Sequence, residues 1–364
     1  MADAQLFIDF FKLGLNDPTI NAWFGGMYRS FFDALRELGC HVTYSDKTPN
    51  MNADVLVVPT GGGQDKSTAK AMKQFGGPVI LNVGAAAYWY RKNFLDRWHD
   101  QILFAYGTDC SDYSPRMFEE SGIPYYHFPF ASTPKVMRPL ALPKIYDVVF
   151  VGNAASGIGR HNYVEPLMKV INTERVLLIG PGWERYGFPS QSIAWGELLN
   201  IIYNLSNVCI NISNDEQKEG SAKRLDANNR LFDLAMAGCF QISNAPQVVR
   251  KYFRDSEVVA ADSPGEWVEN ILYYVAHPDE TEPFRVAARK QALAEHTWKH
   301  RGIQFITMIE TRLSDFKNSD AKAFSLKKMF RIRDTHLPPY GLKEFIEKVR
   351  RRFNCSITLK DCNL

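Results

Sequence analysis

The 364-residue chain has no apolar run near the ~18 residues a membrane-spanning helix needs, which excludes a helical membrane protein. Its six cysteines (Cys40, Cys110, Cys209, Cys239, Cys355, Cys362) form no Cys-x-x-Cys pair, so neither a zinc knuckle nor a disulfide framework is readable. Glycine and proline number 24 and 19, far below a collagen-like or low-complexity chain. Charge of one sign is also missing: 43 basic against 40 acidic residues leave +3, which does not call for a nucleic-acid partner. The opening Met1–Leu13 lacks the basic n-region of a secretory signal, and a cytoplasmic location is expected. What is present is an ordinary globular composition, 45% hydrophobic and 23% charged. At ~100–200 residues per domain, the length predicts two domains.

Short apolar runs alternate with helical periods in both halves. Gln5–Phe11, Asp54–Pro59, Pro78–Val83, Ile102–Tyr106 and Tyr125–Phe128 read as strands, with helices over Met27–Leu38 and Ala69–Phe75. Gly39 is a natural helix stop. A proline-bearing stretch, Pro129–Pro143, reads as the interdomain linker. A second series follows, with strands at Asp147–Val151, Arg175–Ile179, Val208–Ile212, Phe240–Ser243 and Glu257–Ala260. Helices are predicted over Tyr163–Ile171, Trp195–Leu205, Asn229–Ala237, Gly265–Val275 and Phe284–His300. Alternation of this kind implies α/β domains with parallel sheets covered on both faces. The expected division is 1–135, 143–312 and a tail, 313–364. From Asp320 to Phe353 the tail carries a net charge of +6, and Leu342–Phe353 reads as a basic amphipathic helix.

Two segments carry the chemistry. In DVVFVGNAASGIGR a buried strand ends at Gly152-Asn153, and small residues lead to a helix near Arg160. Backbone N–H groups in such a loop can approach a phosphate closely, and a guanidinium adds bidentate charge. Taken alone, the bland reading, a packing turn, is favoured over phosphate binding. In NNRLFDLAMAG, Arg230 and Asp233 share a helix face. The arginine suits a diphosphate and the carboxylate a ribose diol, though a surface ion pair is the ordinary meaning of that spacing. Both segments follow strands of one presumed sheet, at the edge where open α/β sheets bind ligands. A third loop, GPGWERYG from Gly180, with Ser192–Trp195, could offer backbone groups to a nucleobase or be plain turn chemistry.

DVVFVGN with Arg160, LLIGPGW, WGELLNIIYNLSNVCINIS, RLFDLAMAGCFQIS, SPGEWVENILYYVAHP and HTWKHR, in that order, resemble the C-terminal domain of a GT-B glycosyltransferase. They most resemble the spore-maturation-type glycosyltransferase family and are remotely similar to phage DNA β-glucosyltransferases. The resemblance spans about 129–309 and implies two Rossmann-like domains facing a cleft, with a C-terminal helix packing back across them. It implies a nucleoside-diphosphate-sugar donor and a saccharide or lipid-linked acceptor, with no cofactor and no metal. It assigns Gly152, Asn153, Arg160, Gly180 and Arg230 to the donor phosphates and their loop, Ile193 and Ala194 to the base, and Asp233 to the ribose. Asp233 stands where the family usually carries Glu.

Inverting members often place a carboxylate after a strand of the first domain; the counterpart here, Gly84–Ala87, has none. Asp17 and Asp109 are the substitutes in reach, although each also suits a turn or cap. The absence of an Asp-x-Asp motif weighs against a metal-dependent GT-A enzyme. His296 and His300, four apart, read as a helix-surface pair, while His127 and His161 stand alone in their segments. Two other readings compete. A nicotinamide oxidoreductase needs an acid at the end of the next strand, but Glu174 precedes it. A non-catalytic nucleotide-sugar-binding module would need no base. The basic tail is expected to pack across the domains and to leave Arg350–Arg352 for an anionic acceptor or membrane surface.

Overall fold

Two parallel sheets organise the chain. A computed structural model describes residues 5–13, 26–58, 66–84, 92–154, 159–189, 196–213 and 226–331. The first sheet has the order β2-β1-β3-β4-β5-β6, with β1 Phe7–Phe11, β2 His41–Ser45, β3 Val55–Val58, β4 Val79–Gly84, β5 Ile102–Gly107 and β6 Tyr125–His127. The second has the order β11-β10-β9-β7-β8, with β7 Tyr146–Val151, β8 Val176–Ile179, β9 Ser206–Asn211, β10 Gln241–Asn244 and β11 Val259–Ala261. All paired strands run parallel. The central strands are buried on both faces, which is why they read as unbroken apolar runs. The strand that sequence patterning missed is β2: HVTYS lies at the sheet edge, half exposed, and has no such run.

Helices cover both faces of each sheet. In the first domain α1 Gly26–Glu37 lies on one face; α2 Lys66–Phe75, α3 Lys92–Trp98 and α4 Tyr113–Glu119 follow. Helix α1 buries Phe31, Phe32, Ala34 and Leu35 and stops at Gly39, whose φ of +91° suits the chain reversal at Cys40. The second domain adds α5 Arg160–Met168, α6 Gly196–Asn204, α7 Asn229–Ala237, α8 Pro246–Val249, α9 Pro264–Ala276, α10 Glu282–Glu295 and α11 Trp298–Arg331. Helix α7 is capped at one end by the Asn228 side chain, which accepts from Leu231 N, and at the other by Gly238 at φ +65°.

One correction bears on the site. The expected helix over Phe284–His300 is two helices, α10 and α11, broken at His296, which has φ −121°. His296 and His300 therefore do not share a helix face, and His296 is buried at 6% exposure. A separate observation concerns a helix that returns across the domains. It is α11, which leaves the second domain and buries Trp298, Phe305, Met308, Ile309 and Leu313 in the core of the first. Phe305 meets the rings of Phe10, Phe31, Phe104, Tyr106 and Phe128 at centroid distances of 5.1–6.3 Å. The tail helix Leu342–Phe353 lies outside the described residues.

The chain passes between the domains twice, and the two passages are paired. Ser132 N donates to His296 O and Trp298 N donates to Ser132 O, both at 3.0 Å. Arg301, buried, donates through Nε to Pro129 O at 2.9 Å and through Nη2 to Phe130 O at 3.3 Å. The guanidinium thus satisfies carbonyls that neither sheet can reach.

Phe305→Ala removes the ring through which α11 packs into the aromatic core of the first domain. A loss of ~3–5 kcal/mol is expected in chemical denaturation, the range for truncating a buried aromatic.

Candidate functional site

The site begins where β7 ends. Gly152 N donates to Ile179 O at 2.7 Å, and Gly152 O accepts from Trp183 Nε1 at 2.9 Å, so the turn is pinned to β8 and to the loop after it. A Cβ on Gly152 would lie 2.8 Å from Arg230 Nη2, 2.8 Å from Phe150 Cζ and 3.1 Å from Arg160 Nη1. Gly180, at φ +123°, would place a Cβ 2.6 Å from Gly152 O. Both positions therefore require glycine, one for closeness and one for closeness and φ together.

Over that backbone two guanidiniums converge. Arg160 donates through Nη1 to the Asn153 carbonyl and side-chain oxygens, each at 2.8 Å. Arg230 donates to Asn211 Oδ1 at 3.0 Å and lies over the Phe150 ring, 4.7 Å from its centroid. The Nε of each is buried without a hydrogen-bond partner. Among the described residues neither meets a carboxylate at ion-pair distance. Burial and the neighbouring Arg230 charge push the Arg160 guanidinium down to about 9, and burial lowers Arg230 as well. Two adjacent half-buried cations with unspent Nε donors form a locally positive site, the chemistry that suits a multiply charged anion.

Asp233 stands one turn along α7. It is 7% exposed; Oδ1 accepts from Ser132 Oγ at 2.6 Å and Oδ2 accepts from Asn229 Nδ2. Burial pushes its carboxyl up to about 7, against the Ser132 hydrogen bond and the Arg230 charge. The structure thus brings Gly152, Asn153, Arg160, Gly180 and Arg230 together, with Asp233 beside them facing the linker. Ile193, Ala194 and Asp17 lie outside the described residues.

Asp109 takes the capping role that its position in the sequence also suits. Its Oδ1 accepts from Ser111 N (2.9 Å) and Ser111 Oγ (2.7 Å), and its Oδ2 from Ser114 N (3.2 Å) and Ser114 Oγ (2.5 Å). Four donors occupy a carboxylate that is only 2% exposed, so it caps the start of α4 and has no lone pair aimed at a substrate.

Sequence reasoning missed the polar belt that supports the cradle. Asn211 at the end of β9 holds Arg230 and donates to Ser243 Oγ; Asn244 at the end of β10 accepts from Ser213 N at 2.6 Å. The available signal was an asparagine closing each of two apolar strands, at the edge where this architecture binds ligands. The oxidoreductase reading lacks its acid: β8 ends at Ile179, and Gly180-Pro181 follow.

A cavity of about 530 Å³ also lies between the domains, walled by Tyr125, His127, Lys251, Tyr252, His296 and Gln304. His127 Nε2 lies 3.0 Å from Tyr252 Oη, and burial pushes both imidazoles down to about 4.

A glycosyl transferase-like family model matches residues 160–307. No curated protein sequence matches the chain. Solved structures do. Sucrose-phosphate synthase from Thermosynechococcus elongatus is 11% identical, with TM-score 0.61 over 85% of this chain and 100% of that one. A glycosyltransferase from Rickettsia africae is 11% identical, with TM-score 0.60 over 85% and 99%. HepE from Anabaena, solved with UDP and glucose, is 9% identical, with TM-score 0.57 over 84% and 100%. The fold is GT-B, and its second half carries a glycosyl transferase-like domain.

The pH dependence of stability follows from the buried groups. His127 and His296 are depressed from 6.5 to about 4, so the unfolded chain binds their protons first and stability is lost as pH falls from 6.5 through 4. Asp233, raised from 3.8 to about 7, acts oppositely: its contribution is present in acid and lost as pH rises through 7. Urea midpoints between pH 6.5 and 4 are expected to fall, to fall less in His127→Gln, and to fall more steeply in Asp233→Asn.

Proposed function

We propose that the protein is a glycosyltransferase that moves a sugar from a nucleoside-diphosphate sugar to a hydroxyl acceptor, within the spore-maturation-type branch of the GT-B enzymes. The observation that carries this is the pair of half-buried guanidiniums over Gly152, which among the described residues meet no carboxylate at ion-pair distance. A diphosphate is the natural counter-charge for that pair, and the close backbone at Gly152-Asn153 admits its oxygens. HepE is seen with UDP and glucose, and a donor of that class is the one assigned here.

In this reading Arg160 and Arg230 grip the diphosphate, and Asp233 accepts from the ribose hydroxyls. Ile193 and Ala194 meet the base, and the first domain presents the acceptor. The acceptor hydroxyl oxygen bonds to the anomeric carbon while the bond from that carbon to the diphosphate oxygen breaks, and the hydroxyl proton passes to the departing diphosphate. Negative charge grows on the departing diphosphate, where the two guanidiniums already lie. Fixed charge in a dry site stabilises that change with no reorganisation, and the cleft supplies orientation. The same pair supplies the positive charge that a metal supplies in other transferases.

The acceptor is a saccharide hydroxyl, free or lipid-linked. The +6 segment beyond Asp320 gives an anionic acceptor or membrane surface a cationic partner, consistent with work at the cytoplasmic face. No helix among the described residues is long and apolar enough to cross a membrane. The saturated carboxylate of Asp109 favours one second reading, a nucleotide-sugar-binding module without transfer. Slow donor hydrolysis by the purified protein separates the two, because only an enzyme releases free sugar.

A thermal-shift screen against UDP-, GDP-, ADP-, TDP- and CMP-sugars is expected to give one strong stabiliser. At ~100 times its dissociation constant a ligand adds about 2.7 kcal/mol. Arg230→Ala is expected to abolish that shift while leaving the ligand-free Tm at or above the parent's, because burial disfavours the cation there and Arg160 sets a like charge beside it. An unchanged shift in the variant removes the assignment.

A further inference from the structure

One hydrogen bond ties the donor site to the interdomain crossing. Ser132 sits where the two passages between domains pair, and its N–H and C=O are both used there, on His296 O and Trp298 N. Only its hydroxyl is left, and it reaches across 101 residues of sequence to Asp233 Oδ1 at 2.6 Å, with both residues buried. The carboxylate has two bound oxygens, one held by Ser132 and one by Asn229, and each oxygen keeps one further acceptor site. Two remaining acceptor sites at a fixed angle match a vicinal diol.

We propose that Ser132 is a positioning residue: its hydroxyl, anchored in the crossing, orients the Asp233 carboxylate for the two ribose hydroxyls of the donor. The proposal rests on the donor reading above and adds to it a residue outside the second domain's sheet edge. Two physical arguments support it. A hydrogen bond to a carboxylate favours its charged form, and only that form accepts from both hydroxyls. The groups facing Asp233 are Arg230 and Asn229 from its own helix, Tyr203 from α6 and Ser132 from the linker. Burial opposes ionisation there, and among these groups Ser132 and Arg230 favour it. The second argument is geometric. Arg301 clamps the carbonyls of Pro129 and Phe130, so the hydroxyl is held by the crossing and not by α7. The pentose is therefore referenced to the joint about which the domains meet.

Calorimetry with UDP, GDP and ADP identifies the tightest nucleoside diphosphate, which is then compared with its 2′-deoxy analogue and with inorganic pyrophosphate. The parent is expected to prefer the ribose form. Ser132→Ala is expected to weaken the ribose form about tenfold, the scale of one hydrogen bond to a charged group. It should erase the preference over the deoxy form, shift the pH midpoint of binding upward and leave pyrophosphate within about twofold. Ser132→Thr should retain the parent's behaviour. Ser132→Ala with its ribose preference intact, or with pyrophosphate weakened equally, overturns the role of Ser132 and leaves the donor reading standing. A parent that binds neither pyrophosphate nor any of the three nucleotides overturns both.

Discussion

Two like charges held side by side, with no carboxylate at ion-pair distance among the described residues, are the constraint around which the second domain is arranged. Arg160 and Arg230 repel each other in a medium that screens poorly, and each has an Nε with nothing to bond. Their neighbours lessen the cost without removing it. The Phe150 ring presents its negative face, and Asn153 and Asn211 accept one guanidinium hydrogen bond or more each. Strands β7 and β9, the turn at Gly152 and the start of α7 are placed so that this arrangement survives folding. An anion that occupies the pocket repays what the fold loses there.

Much of this was legible in the sequence. The strand ending at Gly152, the arginine after it and the Arg230–Asp233 spacing are local patterns, and local patterns persist in the folded protein. Helix α7 has the bounds that its asparagine cap and glycine stop announce. What could not be read depends on residues far apart in the chain. A capping role for Asp109 was legible, but not its extent, because the two serines that saturate it converge only once α4 forms. His296 looks like a surface helix residue because nothing local reveals that Arg301 will recruit its backbone neighbours to the linker. Ser132 carries no signal at all, since its partner lies 101 residues on. β2 escaped for another reason: an edge strand need not be apolar, so its alternation is faint.

The joint between the domains is more specific than a flexible tether. Paired backbone bonds, a buried arginine bound to carbonyls and a histidine in contact with that arginine make it a small structure in its own right. Around it the two domains also meet at Lys251 Nζ and Cys110 O, 2.8 Å apart, and at Tyr252 and His127. The Ser132–Asp233 hydrogen bond ties α7 to this joint.

The route of α11 sets an order on biosynthesis. Phe305, Ile309 and Leu313 complete a core whose other members emerge from the ribosome some two hundred residues sooner. The first domain cannot close while it alone has been translated; its aromatic face must wait, exposed, until the second domain has been made. A chaperone, or early folding of the second domain beside it, would shelter that face, and a ribosome that stalled before Trp298 would leave the second core whole and the first unfinished.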